Sequence, residues 1–99
     1  MVLIFSLVTG SLFANDDSKL QNMIIGEWMF IAKRHELTIT YKKDGTFTSD
    51  TENGVRKGTW KIQGGQLIEK SDSGTIESKI NFTSKNSFTL DEAFTYERM

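Results

Sequence analysis

Four dipeptides, Asp44-Gly45, Asn53-Gly54, Gly64-Gly65 and Ser73-Gly74, punctuate short runs of alternating apolar and polar residues. Type I′ and II′ hairpin turns need positive φ, which Gly adopts without steric cost and Asn or Asp tolerates. A chain carrying this signal repeatedly folds back on its own neighbour, strand after strand, and reads as an antiparallel meander. The sequence contains no Pro, in keeping with regular strands joined by tight turns.

At 99 residues the chain makes one domain, near the small end of what buries a self-sufficient core. Lys and Arg number 12 against 13 Asp and Glu, a net charge of -1 with no block of one sign. A basic field for nucleic acid and a polybasic membrane patch are both missing from this pattern. With no Cys, neither disulfides, thiolate metal sites nor a lipid-modified cysteine is available.

The first residues are of another kind. Val2-Leu3-Ile4-Phe5-Ser6-Leu7-Val8 is an apolar run, continued by Thr9-Gly10-Ser11-Leu12-Phe13-Ala14 and then by Asn15-Asp16-Asp17. A short apolar stretch ending in a small residue ahead of charged ones reads as a secretory signal peptide over 1–14, cut after about Ala14. No Lys or Arg stands ahead of the run, consistent with a translation start upstream of Met1. The alternative reading is a buried N-terminal strand. A membrane span needs roughly 20 apolar residues, more than this run supplies. The expectation is an exported protein, periplasmic or secreted and not membrane-spanning.

Residues 15–25 form the one helical candidate. Asp16 or Asp17 caps its start, Leu20, Met23 and Ile24 share a face at i, i+3, i+4 spacing, and Gly26 stops it. The domain proper, 26–99, divides into strands at about 26–34, 36–43, 46–51, 55–63, 66–71, 74–82, 86–91 and 94–98. Period two then assigns faces. Leu37, Ile39 and Tyr41 oppose Thr38, Thr40 and Lys42; Trp60 and Ile62 oppose Thr59 and Lys61; Ile76, Ser78, Ile80 and Phe82 oppose Thr75, Glu77, Lys79 and Asn81. One dry face and one wet face per strand suits a sheet closed around a single core. In the first strand both parities are apolar, with Trp28 and Phe30 on one and Met29 and Ile31 on the other. Either the helix or a neighbouring strand covers the second face, or it is a protein-binding patch.

Outer-membrane barrels use strands of roughly 9–11 residues with apolar exteriors, whereas here the exteriors carry Thr, Lys, Glu and Asn. A nucleic-acid-binding barrel of the OB type wants a basic surface, which the charge balance denies. The fold class is therefore all-β, an up-and-down meander of about eight short strands closing into a small barrel, with the short N-terminal helix capping one end.

Three segments add a family resemblance. Gly26-Glu27-Trp28 resembles the Gly-x-Trp signature at the first strand of lipocalins. Lys43-Asp44-Gly45-Thr46-Phe47 and Gly58-Thr59-Trp60-Lys61-Ile62 are similar to the pattern of the small bacterial lipocalin-like domains, and the three occur in the family's order over residues 24–99. The resemblance implies a calycin-like barrel that takes a small molecule at one end. It also implies a basic residue late in the chain laid across the first-strand Trp; Arg98 stands in that place, as a cation–π lid on Trp28. Gly26, Trp28 and Arg98 are thus expected to be structural. The chain lacks the long C-terminal helix of a full lipocalin.

Nine aromatics follow the leader, Trp28, Phe30, Tyr41, Phe47, Trp60, Phe82, Phe88, Phe94 and Tyr96, and all fall on the inward parity. At about 150–250 Å² buried per ring they dominate so small a core, so the barrel is expected to be mostly filled. Any pocket would be small and aromatic, lined by Trp28, Tyr41, Trp60 and Phe94, with Ser78 or Ser49 as inward polar groups. His35, the single histidine, sits between Arg34 and Glu36 at a strand junction and reads as a solvated turn residue. No metal-ligand spacing or phosphate-binding loop occurs, so no cofactor is expected. Glu27, Glu69 and Glu97 are the carboxylates that folding could bring together. The function expected is non-catalytic binding of a small apolar molecule; the alternative is an envelope protein-interaction module, an inhibitor or accessory subunit with a filled core.

Overall fold

The computed structural model describes residues 16–99, with only the backbone of Arg34 and His35. The leader reading over 1–14 and the solvation of the His35 side chain lie outside the described residues. Helix α1 (Asp17–Ile24) is followed by strands β1 (Gly26–Phe30), β2 (Arg34–Tyr41), β3 (Thr46–Thr51), β4 (Gly54–Gln63), β5 (Gln66–Ser71), β6 (Gly74–Ser84), β7 (Ser87–Leu90) and β8 (Phe94–Arg98). Each strand pairs antiparallel with the next, and β1 pairs with β8 through Trp28↔Arg98, Met29↔Glu97 and Phe30↔Tyr96. The meander therefore closes into an eight-stranded barrel. Closure satisfies the two sheet edges that an open meander would leave unpaired.

The turn signals act where expected. Gly45, Gly54, Gly64, Gly65 and Gly74 all have positive φ. At Asp44 the carboxylate accepts from both the amide and the hydroxyl of Thr46, and these bonds hold its carboxyl below the usual range. Strand one is shorter than its apolar pattern suggests. The β1–β2 register shifts between Met29 and Phe30, so that Phe30 faces Arg34. The chain turns over 31–33 rather than continuing to residue 34, and His35 consequently belongs to β2 and not to the turn. Met29 and Ile31 are half-buried.

Turns 42–45, 64–65 and 85–86 lie at one end of the barrel, and α1 closes that end. Asp16 caps the helix through the amides of Ser18 and Lys19. Asp17 accepts from Gly64 N and Gly65 N at 2.8 and 3.0 Å, and Gln21 Oε1 accepts from Ile62 N, so the helix is bolted to the β4–β5 hairpin. Leu20 and Ile24 are buried and Met23 packs beside them. Trp28 is fully buried beneath the helix. Its indole N–H donates to Ile24 O at 2.8 Å, and its ring meets Phe88 and Phe82 edge-on at 4.7 and 5.9 Å.

Arg98 lies over the Trp28 ring with its guanidinium carbon 4.3 Å from the centroid. The same group donates to Met23 O, Ile25 O and Lys85 O. Helix ends leave carbonyls without partners and favour a positive charge there; the last turn of α1 has no basic residue of its own, and Arg98 supplies the charge from 73 residues away. Gly26 fits this corner for two reasons: its φ is +133°, and a Cβ there would stand 2.7 Å from Arg98 Nη1.

Inward residues of the remaining strands complete the core, including Ile39, Tyr41, Phe47, Trp60, Ile62, Leu67, Ile80 and Phe82. Glu27 and Glu97 are exposed on the outer face while Glu69 is buried inside. The three carboxylates therefore do not meet, because period two sends Glu69 to the opposite face.

Two substitutions test this account. Trp28→Ala should cost about 3–5 kcal/mol, the range for deleting a buried large aromatic, or abolish folding. At Gly58 a Cβ would fall 1.9 Å from Lys70 O, so Gly58→Ala should cost at least about 1–3 kcal/mol as an overpacked site. Urea denaturation midpoints measure both; a wild-type midpoint for either would contradict the packing described.

Candidate functional site at the open end of the barrel

The end opposite α1 carries turns 31–33, 52–53, 72–73 and 91–93, and no helix among the described residues covers it. Here the filled core gives way to an open, shallow cavity of about 360 Å³ lined by Phe30, Arg56, Glu69, Ile76, Ser78, Leu90, Asp91, Phe94 and Tyr96. Period two brings these residues together. Phe30 ends β1, Arg56 stands near the start of β4, Glu69 near the end of β5, Ile76 and Ser78 near the start of β6, and Phe94 and Tyr96 near the start of β8. The same parity that fills the closed end with Trp28, Trp60 and Phe82 thus lines the open end with a mixed set.

The aromatic wall is continuous with the core. Phe88 and Tyr96 stack at 5.1 Å, Tyr96 meets Phe30 at 5.1 Å, and Phe30 meets Phe94 at 6.0 Å. Phe94 is 48% exposed and Ile76 49%, so the rim presents apolar surface to solvent. Below the rim the floor is polar. Arg56 Nη2 lies 3.3 Å from Glu69 Oε1, its Nη1 lies 3.3 Å from Ser71 Oγ, and its guanidinium covers the Phe47 ring at 5.0 Å. The Tyr41 hydroxyl donates to Glu69 Oε2 at 2.5 Å. Glu69, 7% exposed, thus has one oxygen on a phenol and the other on a guanidinium, the pairing that a buried carboxylate needs.

At the rim, Asp91 and Glu92 hold φ of 54° and 60° without being Gly. The strain is held by bonds across to β6: Asp91 N donates to Lys79 O, and Asp91 Oδ1 accepts from Lys79 N. With Ala93 N donating to Leu90 O at 3.1 Å, the two left-handed residues make a type I′ turn between β7 and β8.

Of the four residues that sequence placed in a pocket, Phe94 lines the mouth. Tyr41 is buried behind its floor and touches it only through Glu69. Trp28 lies in the closed end. Trp60 packs edge-on against Tyr41 at 5.6 Å, donates to Lys42 O, and borders a separate depression of about 210 Å³ with Thr59, Lys61, Ile68 and Lys70. Ser49 and Ser78 are buried as expected. Arg56 and Glu69 were missed as cavity residues, although Arg56-Gly58-Trp60 and Leu67-Glu69 continue the inward parity of their strands. Reading charged residues as outward by default hid them.

The comparisons with known proteins decide the family. The sequence model of the lipocalin-like family matches residues 20–98. The chain belongs to this family. Neither a curated protein nor a solved structure gives a significant match. In this lipocalin-like protein the match spans both ends of the barrel, from α1 to the last residue of β8.

Burial pushes the hydroxyl of Tyr96 up to about 12, with the negative charge of Glu69 adding to it and Arg56 opposing. Tyr41 rises well above the usual phenol value for the same causes, burial first. A phenol whose folded value is raised keeps its full contribution below the unfolded value of about 10 and loses it as pH climbs through the folded one. These are the two tyrosines of the chain. Absorbance titration of phenolate should therefore show almost no ionisation near pH 10 in the folded protein, and stability to urea should fall steadily from that pH upward. A normal tyrosine titration near pH 10 with the fold intact would contradict the buried placement of both hydroxyls.

Proposed function

We propose that this lipocalin-like protein is a non-catalytic binder that takes a small apolar molecule at the open end of its barrel. The observation that carries the reading is the cavity of about 360 Å³ whose walls are Phe30, Leu90, Phe94 and Tyr96 and whose rim leaves Phe94 and Ile76 half in solvent. A concave, largely apolar site with a few polar groups is how small-molecule sites are built. Large apolar side chains left exposed beside such a site lower the cost of desolvation when a ligand arrives. Of the residues first assigned to the ligand, Phe94 is the contact; Tyr41 positions the floor, and Trp28 and Trp60 give the rigid wall behind it. The apolar leader read at 1–14 supports a place for this binding outside the cytoplasm, in the periplasm or beyond. That part of the proposal rests on sequence alone.

The envelope-interaction alternative draws on the same rim, where Val55 is exposed as well as Ile76 and Phe94. The polar floor set below the apolar rim favours a small molecule over a protein surface.

Titration with N-phenyl-naphthylamine, a neutral apolar dye, tests the proposal. Its emission should rise and shift to the blue with saturation at one dye per barrel. Phe94→Ser should weaken binding about tenfold, the scale of losing a buried aromatic contact, while thermal unfolding stays close to wild type. A dye that never saturates, or whose affinity ignores Phe94→Ser, would sink the reading.

A further inference from the structure

Resting on the binding reading above, the polar floor of the mouth narrows the chemistry of the ligand. We propose that the cavity selects an uncharged planar molecule bearing a carbonyl-type oxygen, which accepts hydrogen bonds from Arg56, Tyr96 and Ser78.

The first support is the balance of donors and acceptors. Arg56 carries five N–H groups and can only donate. Its two contacts, to Glu69 and Ser71, are both 3.3 Å long, against about 2.7–2.9 Å for a well-formed charge-assisted bond. Its side chain is 31% exposed at the cavity. Ser78 is 8% exposed, lines the cavity, and its hydroxyl has no hydrogen-bond partner among the described residues. The Tyr96 hydroxyl likewise has none, although its ring stacks on Phe88 and meets Phe30 at a tilt. The buried carboxylate, Glu69, already has one oxygen on Tyr41 and the other on Arg56. Arg56 can meet a ligand only as a donor. The Ser78 and Tyr96 hydroxyls, which can donate or accept, are free to turn their protons the same way, so a ligand oxygen is the complement that all three share.

The second support is charge. The described charged groups lining the cavity are Arg56, Glu69 and Asp91, one positive against two negative. Beside them, Lys79 and Glu92 form an exposed pair that cancels itself. A carboxylate entering this site would share Arg56 with Glu69 while facing two like charges, and it would shed its hydration to do so. A neutral carbonyl gains the same donors without either cost. A flat ligand suits the wall, because Phe94, 48% exposed, leaves aromatic surface open to it.

Competition against bound N-phenyl-naphthylamine tests this with a matched pair, naphthalene carboxamide and naphthalene carboxylate. The carboxamide should displace the dye at about tenfold lower concentration, the equivalent of about 1.4 kcal/mol. Glu69→Gln removes one negative charge while keeping an oxygen for Tyr41 or Arg56, and it should raise carboxylate affinity until the preference is lost. Tyr96→Phe removes only the free hydroxyl. It should lower carboxamide affinity about fivefold relative to dye affinity, the scale of one hydrogen bond, and it carries the test alone if Glu69→Gln does not fold. Equal or better displacement by the carboxylate in the wild type overturns the proposal, as does a Tyr96→Phe variant with an unchanged carboxamide-to-dye ratio. Failure of the dye itself to bind would instead bring down the binding reading on which this rests.

Discussion

The contact between Trp28 and Arg98 holds the architecture together. It joins β1 to β8 across the barrel seam, where the two residues are register partners, and it joins both strands to the helix. The indole N–H takes Ile24 O while the guanidinium takes Met23 O and Ile25 O, so three successive carbonyls at the end of α1 are satisfied by side chains of the barrel. A further bond to Lys85 O brings the β6–β7 turn to the same point. An eight-residue helix is marginal alone; here its C-terminal carbonyls and its buried face are both secured by barrel residues. With that end plugged, the rest of the interior can become progressively more open towards the other end.

The two ends of the barrel are built by one alternation and differ in what the alternation delivers. Near α1 the inward positions are Trp28, Trp60, Ile62, Ile80, Phe82 and Phe88, all buried. At the mouth they are Arg56, Glu69, Ile76, Ser78, Phe94 and Tyr96, which do not fill the space. Tyr41 and Phe47 lie between and connect the two. Tyr41 packs on Trp60 at one side and donates to Glu69 at the other, while Phe47 lies tilted beside Tyr41 and under Arg56. The polar floor is thus supported from below by the dry core, which is what keeps the mouth in one shape.

Much of the fold was legible in the sequence, because hairpins are local. A Gly-containing turn between alternating strands fixes both neighbour and register, so the meander could be read directly and the capping helix from its own apolar spacing. The Trp28–Arg98 contact, which no hairpin joins, followed instead from the family resemblance. The end of β1 could not be read. The pattern Met29-Phe30-Ile31 is apolar on both parities, and nothing in it marks where the register slips beside Arg34. The site was legible only in part for a different reason. Parity assigned the aromatics inward correctly, but it gives no depth along the barrel, and depth is what separates Phe94 at the rim from Trp28 under the helix. Arg56 and Glu69 obeyed parity and were still overlooked, since a buried pair of opposite charges becomes acceptable only when its partners are seen together.

The seam has one more consequence, which concerns the order of assembly. Residues 28 and 98 are separated by nearly the whole barrel, so until β8 has been made the last turn of α1 lacks its counter-charge, and β1 and β7 each present an unpaired edge. Local hairpins can form early, but their closure is the most non-local event in the chain and is the slow kind of contact to make. The barrel of this protein can therefore close only once its final strand is available, when the β1–β8 pairs from Phe30↔Tyr96 to Trp28↔Arg98 form together.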